Sequence, residues 1–312
     1  MIKYSFVLPA YKALFFREAL DSILAQTYKD FELIVVNDAS PEDLDSIVRS
    51  YNDSRIRYYV NEKNIGGKDL VAQWNHCLEY AKGEYVILAS DDDIYSPLYL
   101  QMMDKLVCKY PDVNVFRPRV KFIDSKGEIL RVEGYSNERT FLLEFIYRWM
   151  TDSISSGVPF YVFKKSALDE IGGFVKYPLA WGSDDLTVML LAKDGVVFST
   201  KILFSFRMSD INISTRKNNN HSFLGKLSAM KLMFGDLKSL ILPIDATDNI
   251  DRFYKQRIVS KFEPYMQGKT YALMMNTELL IVLKNIRPLL ECKWVQKKWF
   301  IRAFLHHLLK RI

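Results

Sequence analysis

The sequence predicts an α/β fold: a mostly parallel sheet flanked by helices, followed by an α-helical C-terminal extension. Three observations lead there. Short apolar runs of strand length alternate with stretches whose apolar residues recur at helical spacing. Each of the first four runs ends in a polar loop. From about residue 222 onward only the helical spacing remains.

In chain order, strands are expected at Ser5–Leu8, Phe31–Asn37, Ile56–Val60 and Tyr85–Ala89. Between them, segments 15–24, 44–51 and 70–81 gather their apolar residues on one face, as helices covering a parallel sheet must. After about residue 112 the alternation weakens. Strand-like pieces at Val113–Phe116, Val120–Ile123, Phe160–Phe163 and Val196–Phe198 are mixed with helices near 140–151, 164–171 and 184–193. The Asn218-Asn219-Asn220 run reads as a linker. This divides the chain into an α/β domain over 1–220, with halves 1–112 and 113–220, and a helical region over 221–312.

With 312 residues, 49% of them hydrophobic, the chain is long enough to bury a sizeable core, which excludes a disordered protein. The formal net charge of +6 is local. Residues 293–312 hold six bases and no acid, and the rest of the chain is neutral. A neutral body with one basic end argues against nucleic acid as a partner, since that requires basic residues spread along a groove or face. Cys77, Cys108 and Cys292 are odd in number and too far apart for a metal knuckle or redox pair, which suits core thiols in a reducing compartment. The chain runs directly into its first strand without a basic leader and apolar core, and no apolar run reaches the roughly 18–20 residues of a membrane span. A cytoplasmic protein, soluble or peripheral on the membrane's inner face, is expected.

In open α/β sheets the carboxyl ends of the strands form the ligand crevice, so the four loops should converge. The most informative is Ser90-Asp91-Asp92-Asp93, after the apolar run Val86–Ala89. Three adjacent carboxylates repel one another, and a divalent cation would offset that cost. Mg2+ or Mn2+ fits, because each takes one or two protein carboxylates and completes its shell with phosphate oxygens and water. A solvated acidic turn capping the next helix is the plainer reading. Asp38 ends the second strand, placed either to accept from a nucleobase or ribose or to cap a helix. Asn64-Ile65-Gly66-Gly67 permits close backbone approach before a helix, suiting a phosphate or only a turn. Neither G-x-G-x-x-G nor the P-loop pattern is present.

In this order, Pro9-Ala10-Tyr11, Val35-Val36-Asn37-Asp38-Ala39-Ser40, Asn64-x-Gly66, Gly83-Glu84-Tyr85 and Ser90-Asp91-Asp92-Asp93 resemble the nucleotide-sugar-binding half of glycosyltransferase family 2. Gly172-Gly173-Phe174, followed by Trp181-Gly182-Ser183-Asp184-Asp185, is similar to the family's acceptor-side segment. The resemblance covers about residues 1–215 and implies a GT-A-like, Rossmann-type fold and an inverting, metal-dependent transferase. Pro9, Tyr11 and Asp38 would hold the base of a nucleoside diphosphate, with Asn64, Gly66 and Lys68 near the diphosphate and Asp91 near the ribose. Asp92 would bind the metal, with Asp93 and His221 as further candidate ligands. Trp181 and Asp184 would face the acceptor, and Asp185 would take the proton from its attacking hydroxyl.

Some residues depart from the family pattern. Ser90 stands where an aspartate is usual, Gln73-Trp74-Asn75 replaces Ala-Arg-Asn, and Phe206-Arg207-Met208-Ser209 lacks the expected histidine. His221, in the loop that follows, is either its replacement or a solvated histidine. Asp184 and Asp185 also read as ordinary first-turn helix carboxylates. Trp74 falls on an apolar helical stripe and reads as core.

Near the end, Ile301, Phe304, Leu305, Leu308 and Ile312 form a stripe opposite His306, His307, Lys310 and Arg311, with Trp294 and Trp299 upstream. Such a helix suits an anionic membrane surface or packing on the protein body. The resulting expectation is transfer of a sugar from a nucleoside-diphosphate sugar, UDP-linked by preference, to a saccharide or lipid-linked saccharide in surface polysaccharide synthesis. The alternatives are a sugar-phosphate nucleotidyltransferase and a non-catalytic nucleotide-sugar-binding module.

Overall fold

The computed structural model describes residues 2–209 and 217–309. The first half alternates as expected: β1 (Tyr4–Ala10), α1 (Phe16–Leu24), β2 (Phe31–Asn37), α2 (Leu44–Arg49), β3 (Ile56–Val60), α3 (Leu70–Leu78) and β4 (Tyr85–Leu88). A two-residue β5 (Ile94–Tyr95) and α4 (Tyr99–Lys109) follow the acidic loop. Then come β6 (Val115–Ile123), β7 (Ile129–Val132), β8 (Arg139–Thr140), α5 (Leu142–Met150), β9 (Val162–Lys164), α6 (Lys165–Glu170), α7 (Ser183–Leu191) and β10 (Val196–Arg207). The remainder is helical: α8 (Asn220–Ile241), α9 (Asn249–Met275), α10 (Leu279–Lys284), α11 (Ile286–Leu290) and α12 (Lys297–Leu309).

The main sheet runs β3-β2-β1-β4-β9-β6-β10-β5. It is parallel across β3-β2-β1-β4 and again between β6 and β10, whereas β9 enters antiparallel to both its neighbours. The register pairs Ala10 with Asn37, and Asp38 N–H donates to the Ala10 carbonyl, so the carboxyl ends of β1 and β2 finish level. β2 and β4 are buried along their whole length and β1 along nearly all of it, as strands covered on both faces must be. Strand order reverses at β1, and the crevice beside it is where open sheets take ligands.

The two expected pieces at 113–116 and 120–123 are one strand. Pro118 cannot donate to a ladder, but it is accommodated where β10 bulges: Arg117 pairs with Phe198 and Arg119 with Ile202, so three β10 residues loop past one proline. That bulge also explains why β10 runs nine residues beyond the expected Val196–Phe198, since its middle residues are exposed and carry no apolar alternation. β5 and β8 are too short for a periodic signal, and β7 is exposed throughout.

Two compact units are present: residues up to 176 with 183–209, and residues 177–182 with the C-terminal helices. Segment 177–182, expected within the α/β domain, thus groups with the helical unit. There Gly225 of α8 leaves room for Leu179, since a Cβ would come within 2.6 Å of its Cδ1. Asn218-Asn219-Asn220 is not a linker. Asn218 is buried and donates from its side chain to the Asn276 carbonyl and Thr277 Oγ1, and Asn219 caps α8 in a capping box with Ser222. Trp294, which precedes the stripe read as suiting either a membrane surface or the protein body, is core, and its indole donates to Thr270 Oγ1 at 3.0 Å. Trp299 donates to Gln267 Oε1, and Ala303 of α12 joins the same buried cluster. Ile301 and Leu305 of the stripe are exposed; the side chains of Phe304, His306, His307 and Leu308 and residues 310–312 lie outside the described residues. Among the described residues no helix is long and apolar enough to cross a membrane.

Candidate active site

Loops at the ends of β1, β2 and β4 build one side of the site. Asp91 Oδ2 accepts from the backbone N–H groups of Tyr11 (3.0 Å) and Lys12 (2.8 Å), tying the β4 loop to the end of β1. Ser40 Oγ donates to the Tyr11 carbonyl, so the β2 loop joins the same turn. Pro9 is partly exposed at the end of β1, and the Tyr11 ring beyond it is 41% exposed and offers a face for stacking.

Asp38 is only 4% exposed. Its Oδ1 accepts from Asn61 Nδ2 and Ile65 N–H, and its Oδ2 from Gly66 N–H at 2.7 Å. Three of its roughly four acceptor positions therefore hold the 61–66 loop, leaving one for a ligand. Gly66 is required by contact, since a Cβ there would stand 2.9 Å from Asp38 Oδ2. Asn64 Oδ1 accepts from Gly67 N–H, which places Asn64 as a brace of this turn. Lys68 is exposed just beyond it.

The three carboxylates of the acidic loop have separate environments. Burial raises the pKa of Asp91 against the pull of its two N–H donors. Burial and repulsion from Asp91 push Asp92 up to about 6, opposed by Lys12 and Arg207. Asp93 is fully buried, and burial raises it well above the usual range. It accepts from Arg207 N–H at 2.9 Å, so this candidate metal ligand is directed into the protein, where the chain itself has engaged it. Arg207, at the end of β10 and 1% exposed, also donates to the Asp92 carbonyl (2.9 Å), pairs with Glu18 (2.6 Å) and lies 4.2 Å over the Phe15 ring.

A carboxylate whose charge is opposed by burial and by a like neighbour suits a cation. Among the described residues no three His, Cys, Asp or Glu side chains are grouped to hold a metal. A Mg2+ or Mn2+ ion at Asp92 would draw its remaining ligands from phosphate oxygens and water. His221 lies in the first turn of α8, not in a loop, and belongs to the helical unit.

A second acidic cluster opens α7, whose first turn holds Asp184 and Asp185. Burial, then repulsion from Asp185, pushes Asp184 up to about 8, while the Val158 N–H pulls the other way. Burial and the neighbouring carboxylate thus favour the protonated form of Asp184. Trp149 of α5 donates its indole N–H to Asp185 Oδ1 at 2.9 Å. Val158 begins a 3-10 turn, Val158–Phe160, whose Pro159 carbonyl accepts from Tyr95, two residues past Asp93. One short turn therefore connects the acidic pair to the acidic loop.

Gly172-Gly173-Phe174 is fastened to α3 by Asn75, which exchanges hydrogen bonds with both the N–H and the carbonyl of Phe174 (2.8 and 3.1 Å). Gly173 has φ +90°, and a Cβ on it would meet Asn75 Oδ1 at 2.5 Å. Trp74 is core, edge-on to Phe174. Trp181, expected on the acceptor side, packs against the helical core of the second unit.

The family model described as glycosyl transferase family 2 matches residues 5–172, more than half of the sequence. The chain belongs to glycosyltransferase family 2. An uncharacterized glycosyltransferase of Rickettsia typhi is 31% identical over 213 residues, 66% of this chain and 64% of that protein. Further Rickettsia relatives, from R. felis and R. bellii, are matched over 21% and 18% of their lengths, so the chain spans less than two thirds of these relatives. A GalNAc(5)-diNAcBac-PP-undecaprenol beta-1,3-glucosyltransferase of Campylobacter jejuni is 26% identical over 249 residues, 76% of each chain. In fold, this glycosyltransferase is similar to S. aureus TarS 1-349 in complex with UDP-GlcNAc, with a TM-score of 0.64 at 18% identity over 97% of this chain and 89% of that one. It is also similar to a mannosyltransferase of Pyrobaculum calidifontis in complex with GDP-Man and Mn2+, with a TM-score of 0.55 at 15% identity over 99% and 88%. The fold is thus that of GT-A glycosyltransferases with added C-terminal helices. Membership of a glycosyltransferase family sets aside the nucleotidyltransferase reading.

Three residues of the site were not anticipated: Lys12, Arg207 and Trp149. Arg207 stood out only as a departure from a motif. Trp149 sits among apolar residues of α5 and carries no signal of its polar contact.

Proposed function

We propose that this enzyme transfers a sugar, with inversion, from a UDP-sugar to a saccharide or lipid-linked saccharide in the building of a surface polysaccharide, with Mg2+ or Mn2+ as cofactor. The observation that carries the reading is the pair of acidic clusters, one beside the strand-end crevice and one on α7, joined through the Val158–Phe160 turn. Tyr11 and the last acceptor position of Asp38 would take the base, Asp91 the ribose, and the Asn64–Gly66 turn with Lys68 and Lys12 the diphosphate. A divalent cation held by Asp92 would neutralise the leaving diphosphate. Asp185 would accept the proton of the acceptor hydroxyl as that oxygen attacks the anomeric carbon from the face opposite the nucleotide. Direct displacement of this kind inverts configuration.

UDP is favoured because TarS binds UDP and UDP-GlcNAc in the same fold, and a lipid-linked acceptor because the Campylobacter relative is named for one. The basic C-terminal residues would hold the enzyme at the inner face of the membrane. Asp184 would bound the acceptor site.

The test is calorimetric titration with a panel of UDP- and GDP-sugars, with and without Mn2+, followed by transfer assays on Asp185→Asn. We expect Mn2+-dependent binding of a UDP-sugar, and loss of transfer by about 10^2- to 10^4-fold in the variant with nucleotide affinity retained. Metal-independent binding would refute the cofactor, and an active Asp185→Asn enzyme would remove Asp185 as the base.

A further inference from the structure

Arg117 and Glu133 form an ion pair in the interior of the α/β unit, with side chains 0% and 5% exposed. Arg117 Nη2 donates to both carboxylate oxygens, at 2.9 and 2.8 Å. Such a pair is a poor way to gain stability, because both charges lose their water and an apolar pair of similar volume often serves as well. This one also holds a single stretch of main chain. Arg117 Nη1 donates to the Ser155 carbonyl at 2.7 Å, and Ser155 N–H donates to Glu133 Oε1 at 2.8 Å. Both main-chain polar groups of Ser155 are thereby bound to charged partners, and hydrogen bonds to ionised groups are the strong ones.

Residues 151–157 belong to no helix or strand, so no ladder of their own fixes their path. They lead into the Val158–Phe160 turn, whose Val158 N–H bonds Asp184. Arg117 reaches that turn too: its guanidinium lies 5.5 Å from the centre of the Phe160 ring and 5.3 Å from that of Tyr161. One buried cation therefore grips the chain at Ser155 and again at 160–161, on either side of the residue that meets the acidic pair. Between the grips, a Cβ on Gly157 would crowd the Phe160 ring at 3.2 Å.

We propose that the Arg117–Glu133 pair is a positioning device for glycosyl transfer: by clamping Ser155 and the turn after it, the pair sets where Val158 N–H meets Asp184 and hence how the α7 acids face the acceptor. This rests on the reading of α7 as the acceptor-side site. Both residues are buried and act through the turn, not on the substrate.

The experiment replaces both partners at once, Arg117→Met with Glu133→Leu, which fills the space and removes the clamp without leaving a lone buried charge. UDP affinity is measured by calorimetry, and turnover as UDP release from UDP-glucose, UDP-GlcNAc and UDP-GalNAc. We expect kcat to fall about 10- to 100-fold, the scale of a small misplacement at a reacting centre, with donor KM and UDP affinity unchanged. An unchanged kcat overturns the inference, and so does a donor KM that rises as kcat falls, which marks a general structural role. Should the double variant fail to fold, Arg117→Lys takes its place: it keeps a charge beside Glu133 but loses the planar fork that spans Glu133 and Ser155. The same split between kcat and KM is then expected, and its absence overturns the inference.

If no donor turns over, amide hydrogen exchange in the parent protein decides. The clamp requires the Ser155 and Val158 N–H groups to exchange as slowly as the amides of β6, although Ser155 lies outside any helix or strand. Slow exchange at both supports the clamp, and free exchange at either overturns it. An Asp185→Asn enzyme that still transfers sugar would instead refute the base on α7, and the exchange rates judge the clamp separately.

Discussion

The two acidic clusters differ in what surrounds them. In the loop after β4 the three aspartates are separated by the backbone: Asp91 turns to the β1 end, Asp93 into the protein, and Asp92 remains between them. On α7 the two aspartates share one helical turn, and side chains or single N–H groups distinguish them. The loop cluster therefore depends on the fold for its charge pattern, whereas the helix cluster depends on where one proton sits. Mutations in the first should cost stability and donor binding together; mutations in the second should act mainly through pH.

Arg207→Ala should show the largest effect. Its guanidinium is buried against Phe15 and the Asp92 carbonyl and reaches the exposed Glu18, so its loss leaves a void and cuts the tether between β10 and the acidic loop. We expect about 3 kcal/mol of destabilisation by urea unfolding, together with loss of Mn2+-dependent UDP binding. If stability falls and nucleotide affinity is unchanged, the loop keeps its shape without β10. Asp91→Ala should cost less, about 2 kcal/mol, because the Tyr11 and Lys12 N–H groups lose their acceptor. Asp91→Asn retains an acceptor oxygen and should recover most of that stability. Equal losses in the two variants would mean that charge, not hydrogen bonding, holds the turn.

Much of this contrast was legible in the sequence because it rests on strong local patterns. The β1, β2, β3 and β4 runs are periodic or wholly apolar, and the polar loops after them mark the crevice. What escaped was non-local. Nothing local signals that Arg207 would reach back to Glu18, 189 residues earlier, or that Trp149 would face Asp185. The three adjacent aspartates read alike in sequence, yet Asp93 becomes a buried anchor because the Arg207 backbone meets it. Likewise the asparagines at 218–220 look like a linker until Thr277 arrives beside Asn218.

The smallest expected effect separates the clusters most cleanly. The folded-state pKa of Asp184 is raised to about 8 from an ordinary value near 3.8, by burial and then by Asp185. A group whose pKa rises on folding contributes stability that is fully present below its unfolded pKa and is lost as pH rises through the folded value. The wild-type protein should therefore lose stability from this site between about pH 4 and pH 8, as Asp184 is forced to ionise in place. Asp184→Asn keeps the shape and the acceptor for Val158 N–H but has no proton to lose. It should match the wild type near pH 4 and exceed it by a margin that grows as pH rises to 8, read from urea midpoints across the range. A difference that does not grow with pH would mean that Asp184 is already ionised at neutral pH and that the proton of the pair lies elsewhere. The same variant then reports on chemistry: if transfer survives at pH 8 in Asp184→Asn but not in Asp185→Asn, the two adjacent carboxylates have been assigned by environment alone, one to hold a proton and one to take it.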